Sequence, residues 1–397
     1  MEGKRLIRSL SLRNILSYGS LAEEIALEPL NVLIGRNASG KSNLIEAVGL
    51  LRSTPKDLAV PIRRGGGIAE WLWKGSDIVP EAGLVAVIDY PQGIEPLHYM
   101  LGLTMLGQRM SVAMEAVGRK PYQATDRIAQ PAVQPDYFYG YQDGDAILRV
   151  RGQKLHMGRE NFNAEQSILS QIKDPTQQPE ITYLGNVFAE MRLFRELSLG
   201  PNTLLRLPQK TDLPEDFLLE DASNLALVLN DLQNRLVVRK QVLSRLREFY
   251  SEVVDITTKI QGGTVQIFVH ENRLAQPVSA ARLSDGTLRY LCLLTILCHP
   301  TPPPLVCIEE PELGLHPDIL PAIAELLIEA SQRTQLIVTT HSDVLVSALS
   351  DTPEAILVCD RDSEGTHLRR LEREPLKEWL EKYSLGELWR MGEIGGS

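Results

Sequence analysis

Residues 35–42 read Gly-Arg-Asn-Ala-Ser-Gly-Lys-Ser, two glycines with four residues between them, followed at once by Lys and Ser. The apolar run Asn31–Ile34 precedes this loop, and a helix-forming stretch from Lys41 to about Arg52 follows it. A glycine loop between a strand and a helix turns its backbone N–H groups inward, and the helix N-terminus adds a favourable dipole for anions. Gly35, Asn37, Ala38, Ser39, Gly40, Lys41, Ser42 and Asn43 are therefore the candidate phosphate cradle. The Lys41 ammonium can reach outer phosphates, and the Ser42 hydroxyl can ligate Mg²⁺.

Three further segments carry polar chemistry. Leu305-Val306-Cys307-Ile308-Glu309-Glu310 is an apolar strand with two carboxylates at its C-terminal end, where open α/β sheets bind ligands. Neighbouring strand residues point to opposite sides, so the two acids take different work. Glu309 is the candidate holder of Mg²⁺ through water, and Glu310 the candidate base for an attacking water. In Leu283-Ser284-Asp285-Gly286, Ser284 is a good N-cap and Gly286 allows close approach to a ligand. Alone, that segment reads as an ordinary capped helix. Val338-Thr339-Thr340-His341-Ser342 is a strand ending in polar residues, and His341 is placed to touch a terminal phosphate and the attacking water. A lone histidine there reads as structural; the ordered set of motifs gives it a role.

The elements that must position these groups alternate. Strands are predicted over Arg5–Leu12, Asn31–Ile34, Leu84–Tyr90, Thr264–Val269, Leu305–Ile308, Leu336–Thr340 and Ala355–Cys359. Helices are predicted from Lys41, from about Thr287, from Asp318 and after Ser342. Strand–helix alternation implies an α/β fold with a parallel sheet. The pattern divides the chain into an N-terminal lobe (1–90), a β-rich segment (91–160), a mainly helical insertion (161–260) and a C-terminal lobe (261–397). Within the insertion, Asp221–Tyr250 carries apolar residues at helical spacing, too briefly for a long coiled coil.

With 397 residues and 43% hydrophobic content the chain can bury a substantial core. A net charge of −10 argues against a polyelectrolyte that coats nucleic acid, although a local basic patch remains compatible with it. No secretory signal or bilayer-length apolar run is evident, and the four cysteines lack zinc-ligand spacing. They read as buried thiols of a cytoplasmic protein.

The order of P-loop, Leu-Ser-Asp-Gly, Glu-Glu and Thr-His-Ser resembles the ABC-type ATPase heads of the RecF and SMC families. It more closely resembles the bacterial "predicted ATPase" branch of AAA-type proteins within that group, through Ser284–Tyr290, Glu309–Pro317, Thr339–Ser342, Gln166–Ser170 and Tyr383–Trp389. The resemblance implies a P-loop NTPase head with a mixed or parallel central sheet, a helical insertion and a small β-rich segment. It implies a slow ATPase using ATP and Mg²⁺, and a homodimer closed around two nucleotides. One subunit would supply Lys41, Ser42, Glu309, Glu310 and His341; the other would supply Ser284 and Gly286, with Glu312–Pro317 touching the partner subunit. Two departures stand out: Glu309 replaces the usual Asp, and Ala38 a common glycine. No glutamine lies between the P-loop helix and Leu84, where a metal-sensing glutamine loop is expected; Trp71, Trp73 and Lys74 occupy that interval.

Only 56 residues follow His341, too few for the Toprim domain of related overcoming-lysogenisation nucleases, so any nuclease is expected on a separate chain. The cationic series Arg235, Arg239, Lys240, Arg245 and Arg247 reads either as a DNA-phosphate stripe or as a solvated face balanced by acids. By the resemblance Arg13 and Tyr18 fall near the adenine; read from the residues alone, they are core or surface positions. Three functions stay open: a switch acting on DNA, a regulator of a separate effector such as a nuclease in a defence or toxin system, or a nucleotide-binding scaffold. No membrane partner is expected.

Overall fold

The computed structural model describes residues 3–76, 80–119, 137–142, 144–150, 153–157, 163, 165–197 and 199–395. Its centre is a six-stranded sheet in the order Arg192–Phe194, Leu305–Glu309, Gln335–Thr339, Leu30–Ile34, Ile356–Arg361, Thr366–Arg370. The first five strands run parallel and the last is antiparallel. The strand Leu30–Ile34 is buried at every position, as a strand covered on both faces must be.

The pleat sorts its side chains into two cores. Val32, Ile34, Val306, Ile308 and Val338 pack with the helices Leu225–Gln233, Leu236–Phe249, Asp285–Leu297 and Leu320–Ser331. Leu33, Cys307, Ile337 and Leu357 face the other way, toward the helix Lys41–Ser53 and the helix Pro179–Glu190. That second core is closed by an eight-stranded antiparallel sheet, ordered Glu24–Ala26, Ile7–Arg13, Ala82–Ile88, Leu97–Leu106, Arg109–Gly118, Tyr137–Gln142, Asp145–Val150, Gln153–Met157. A third, small antiparallel sheet forms from Gln209–Lys210, Val253–Gln261, Thr264–Glu271 and Val278–Ser279.

Buried polar groups join these layers. Gln335 accepts from the amides of Leu6 (3.2 Å) and Ile7 (2.8 Å) and donates to the carbonyls of Ile7 (2.8 Å) and Glu28 (3.1 Å), tying the antiparallel sheet to the parallel one. Glu115 is fully buried. It accepts from the Tyr99 hydroxyl (2.7 Å), the Ile168 amide (2.8 Å) and the Ser167 hydroxyl, and burial pushes its pKa from 4.5 to about 7. Ser167, in the family-like segment Gln166–Ser170, also caps the short helix Ile168–Gln171. Gln335 thus joins the two large sheets through backbone groups, and Glu115 ties the antiparallel sheet to the helix Ile168–Gln171.

Several sequence boundaries require correction. The division at 90/91 falls inside one sheet, because Ala82–Ile88 pairs directly with Leu97–Leu106. Residues 161–260 are not one helical insertion. Arg192–Phe194 lies in the central sheet, Val253–Gln261 is a strand, and the helices on either side of Arg192–Phe194 pack into opposite cores. The helical stretch 221–250 is two helices, parted at Asn234 and at Arg235, whose extended backbone starts the second.

Candidate functional site

Parallel strands deliver their C-terminal ends to one edge of the sheet, and the chemistry gathers there. Ile34 leads into Gly35, Phe194 into Arg195, Glu309 into Glu310, and Thr339 into Thr340 and His341. The P-loop backbone demands its glycines. A Cβ on Gly35 would lie 2.3 Å from the Cys359 carbonyl, and one on Gly40 2.3 Å from Thr366 Oγ1. Both glycines have positive φ, and so does Ala38, at 63°. A glycine is common at the Ala38 position because the backbone there is left-handed.

Lys41 is buried and donates to the carbonyls of Gly35 (2.7 Å) and Arg36 (2.9 Å). Burial lowers its pKa, opposed by Cys359 and Glu310. Ser39 Oγ is buried without a hydrogen-bond partner, a polar atom facing the cradle that a phosphate oxygen can satisfy. Ser42 Oγ donates to Glu309 Oε2 at 3.0 Å, so the hydroxyl and carboxylate that would hold Mg²⁺ are already adjacent. The donor set fits that ion.

Glu310 adopts φ 46°, a left-handed backbone rare for a non-glycine residue, and its amide donates to the Thr339 carbonyl (3.0 Å). That geometry brings Glu310 Oε1 to 3.7 Å from His341 Nε2. Ser284 caps the helix Asp285–Leu297 by accepting from the Thr287 amide at 3.0 Å. A Cβ on Gly286 would meet the Gly314 carbonyl at 3.0 Å, so the turn Leu283–Gly286, the signature turn, lies against the segment that follows the paired acids. Among the described residues no hydrogen bond or ion pair joins Ser284 or Gly286 to the P-loop. Asn43 turns its amide to Ser17 Oγ (2.7 Å), which also accepts from Thr366 Oγ1 (2.7 Å); its side chain braces the loop.

Further residues complete the site. Arg195 donates to Glu309 Oε1 (2.6 Å) and to Glu46 Oε1 (3.0 Å). Burial works against its charge, but Glu309 and Glu46 outweigh that and raise its pKa. Glu312 Oε1 accepts from Thr340 Oγ1 (2.7 Å) and the His341 amide (2.8 Å), fixing the turn that presents His341. Arg206 donates to the Leu283 carbonyl (2.5 Å) and to Asp285 (2.5 Å), riveting the signature turn. Arg289 Nε is buried without a partner, and burial lowers its pKa while Glu312 and Glu310 oppose. The C-terminal segment Tyr383–Trp389 has a local purpose. Ser384 and Glu387 form a capping box, and Gly386 packs against the Asp343 carbonyl of the helix after His341, where a Cβ would clash at 2.1 Å.

Two readings left with alternatives are decided by the structure. Tyr18 is 3% exposed beneath the loop, with its hydroxyl on the Gly40 carbonyl at 3.4 Å, so its ring is not free to meet a base. The arginines of the basic series are engaged: Arg235 with Asp231, Arg239 with Asp255, and Arg245 with Glu248, Glu325 and Glu329, while Arg247 donates to backbone carbonyls. The solvated, acid-balanced reading is the one this helix matches. The unassigned interval before Leu84 has a place as well. Trp73, Lys74, Asn43 and Arg361 line a cavity of about 430 Å³ beside the P-loop.

Residues 30–77 and 143–347 match the family described as "AAA domain, putative AbiEii toxin, Type IV TA system". The chain belongs to this family. The Old nuclease of Escherichia phage P2 is 33% identical over 131 residues, 30% of this chain; the match spans 22% of the nuclease, about a fifth of its length. Among solved structures, the SMC head bound to the C-winged helix domain of ScpA superposes with a TM-score of 0.59, at 14% identity over 94% of this chain and 99% of that one. The Smc head domain of Pyrococcus furiosus with an extended coiled coil, bound to the C-terminal domain of ScpA, gives 0.53, at 14% identity over 95% and 99%. The fold is thus that of an SMC-like, ABC-type P-loop ATPase head. Among the described residues no helix is long and apolar enough to cross a membrane.

Proposed function

We propose that this member of the AAA family binds ATP with Mg²⁺ on Gly35–Asn43, hydrolyses it slowly, and closes as a homodimer around two nucleotides. The observation that carries this reading is the meeting of Lys41, the Ser42–Glu309 pair and the Glu310–His341 pair at one sheet edge. Bound Mg²⁺ would neutralise phosphate charge and orient the terminal phosphate. Lys41 leaves the Gly35 and Arg36 carbonyls for phosphate oxygens. Glu310 accepts a proton from the attacking water, and His341 orients that water and the terminal phosphate. The cavity lined by Trp73 and Arg361 takes the nucleoside end. Ser284 and Gly286 serve the partner subunit's nucleotide, which agrees with their lack of bonds to the P-loop of their own chain.

We further propose that the nucleotide-driven switch regulates a separate effector, with a nuclease in a defence or toxin system as the leading class. The likeness to the Old nuclease and the family description support that class. Direct action on DNA through the Arg235–Arg247 helix has less support, because its arginines are engaged. The four free, buried cysteines agree with a cytoplasmic location. Phosphate release and nucleotide binding test the catalytic reading together. Glu310→Gln retains ATP binding and loses turnover by at least about 100-fold, and Lys41→Ala loses binding. Undiminished phosphate release by Glu310→Gln would remove Glu310 as the base.

A further inference from the structure

A second cavity, of about 510 Å³, lies along the P-loop helix at Glu46, Gly49, Arg52 and Ser53. Four cations line it: Arg52, Lys56, Arg64 and Arg195. Three acids line it too, but each is committed. Glu46 holds Arg195, Glu220 holds Arg52 and the Leu193 amide, and Asp57 accepts from the Ala59 amide. Lys56 and Arg64 have no ion-pair partner among the described residues. Burial, with Arg52 and Arg192 close by, lowers the Lys56 pKa, so an anion there would relieve crowded positive charge. Val60 and Pro61 supply an accessible apolar wall. Cations above an apolar wall, in a volume that suits a small molecule, make a site for an organic anion.

We propose that this cavity binds a nucleoside phosphate monoester, with Lys56 and Arg64 holding the phosphate and the Val60–Pro61 wall taking the nucleoside. The ligand is either a free mononucleotide or the 5′-phosphorylated end of a nucleic-acid strand; the shared chemistry is the terminal phosphate monoester. Arg195 lines the cavity and also holds Glu309, so an occupant competes with Glu309 for one guanidinium. That coupling, though not the binding, rests on the function proposed above.

The test is calorimetric titration of the whole chain with ADP saturating the P-loop. The probes are AMP, a 5′-phosphorylated oligonucleotide and the same oligonucleotide with a 5′-hydroxyl. Binding of AMP, weakened at least tenfold in Lys56→Glu/Arg64→Glu, assigns the free mononucleotide. Binding of the phosphorylated strand but neither AMP nor the hydroxyl strand, with the same loss, assigns the strand end. ADP binding by the double variant verifies its fold and its P-loop independently. No binding by AMP or the phosphorylated strand, or equal binding by the double variant, overturns the proposal.

Discussion

Glu309 is held on both carboxylate oxygens, by Ser42 on one and Arg195 on the other. The extra methylene relative to an aspartate thus has a neighbour that fixes where it goes. The guanidinium also places a positive charge beside the proposed Mg²⁺ position and disfavours a second cation there. Arg195→Met is therefore expected to lower the Mg²⁺ concentration for half-maximal turnover roughly fivefold, the equivalent of about 1 kcal/mol of relieved repulsion. A rise instead would show that Arg195 chiefly positions the acid. The contiguous motifs at this scale were legible because each packs its chemistry into a few neighbouring residues. Arg195 and Arg206 were not, because each reaches the site through tertiary packing and belongs to no local pattern; Glu312 lay within a quoted motif, but its bonds to Thr340 and His341 depend on tertiary packing. Arg195 follows a three-residue strand too short to leave a periodic signal.

At the level of elements, apolar runs revealed the parallel strands, since burial on both faces leaves little room for polar residues. The eight-stranded sheet was hidden in part because its register depends on pairings between segments far apart in the chain, such as Ile7–Arg13 with Ala82–Ile88. Two local features give predictions. Ala38, at φ 63°, is expected to lose about 1 kcal/mol of left-handed strain in Ala38→Gly, seen as a higher denaturant midpoint, with part of the gain offset by glycine's greater chain entropy. Glu115 titrates near pH 7 in the folded chain and near 4.5 when unfolded. Between those values the folded state holds the extra proton, so stability falls as pH rises from about 4.5 to 7, by on the order of 3 kcal/mol. Glu115→Gln, with its carbonyl toward the Ile168 amide and its amide toward the hydroxyls of Tyr99 and Ser167, is expected to flatten that slope in thermal melts across this range. An unchanged slope would place the titration elsewhere.

For the whole molecule, two cores on opposite faces of one sheet converge on a single functional edge. The antiparallel sheet backs the P-loop helix, while the opposite core carries the signature helix on the other side of the same strands. The signature turn is rigid, capped by Ser284 and riveted by Arg206, yet it makes no bond to its own P-loop. A second chain can bring that turn to the nucleotide, and trapped ATP would then hold the two chains together. The most direct test is light scattering on Glu310→Gln with and without ATP and Mg²⁺. The composite site predicts a shift from one chain of 44.3 kDa to twice that mass only with ATP and Mg²⁺, abolished by adding Ser284→Arg. A mass that ignores nucleotide, in a variant shown to bind ATP, would contradict dimerisation around the nucleotide.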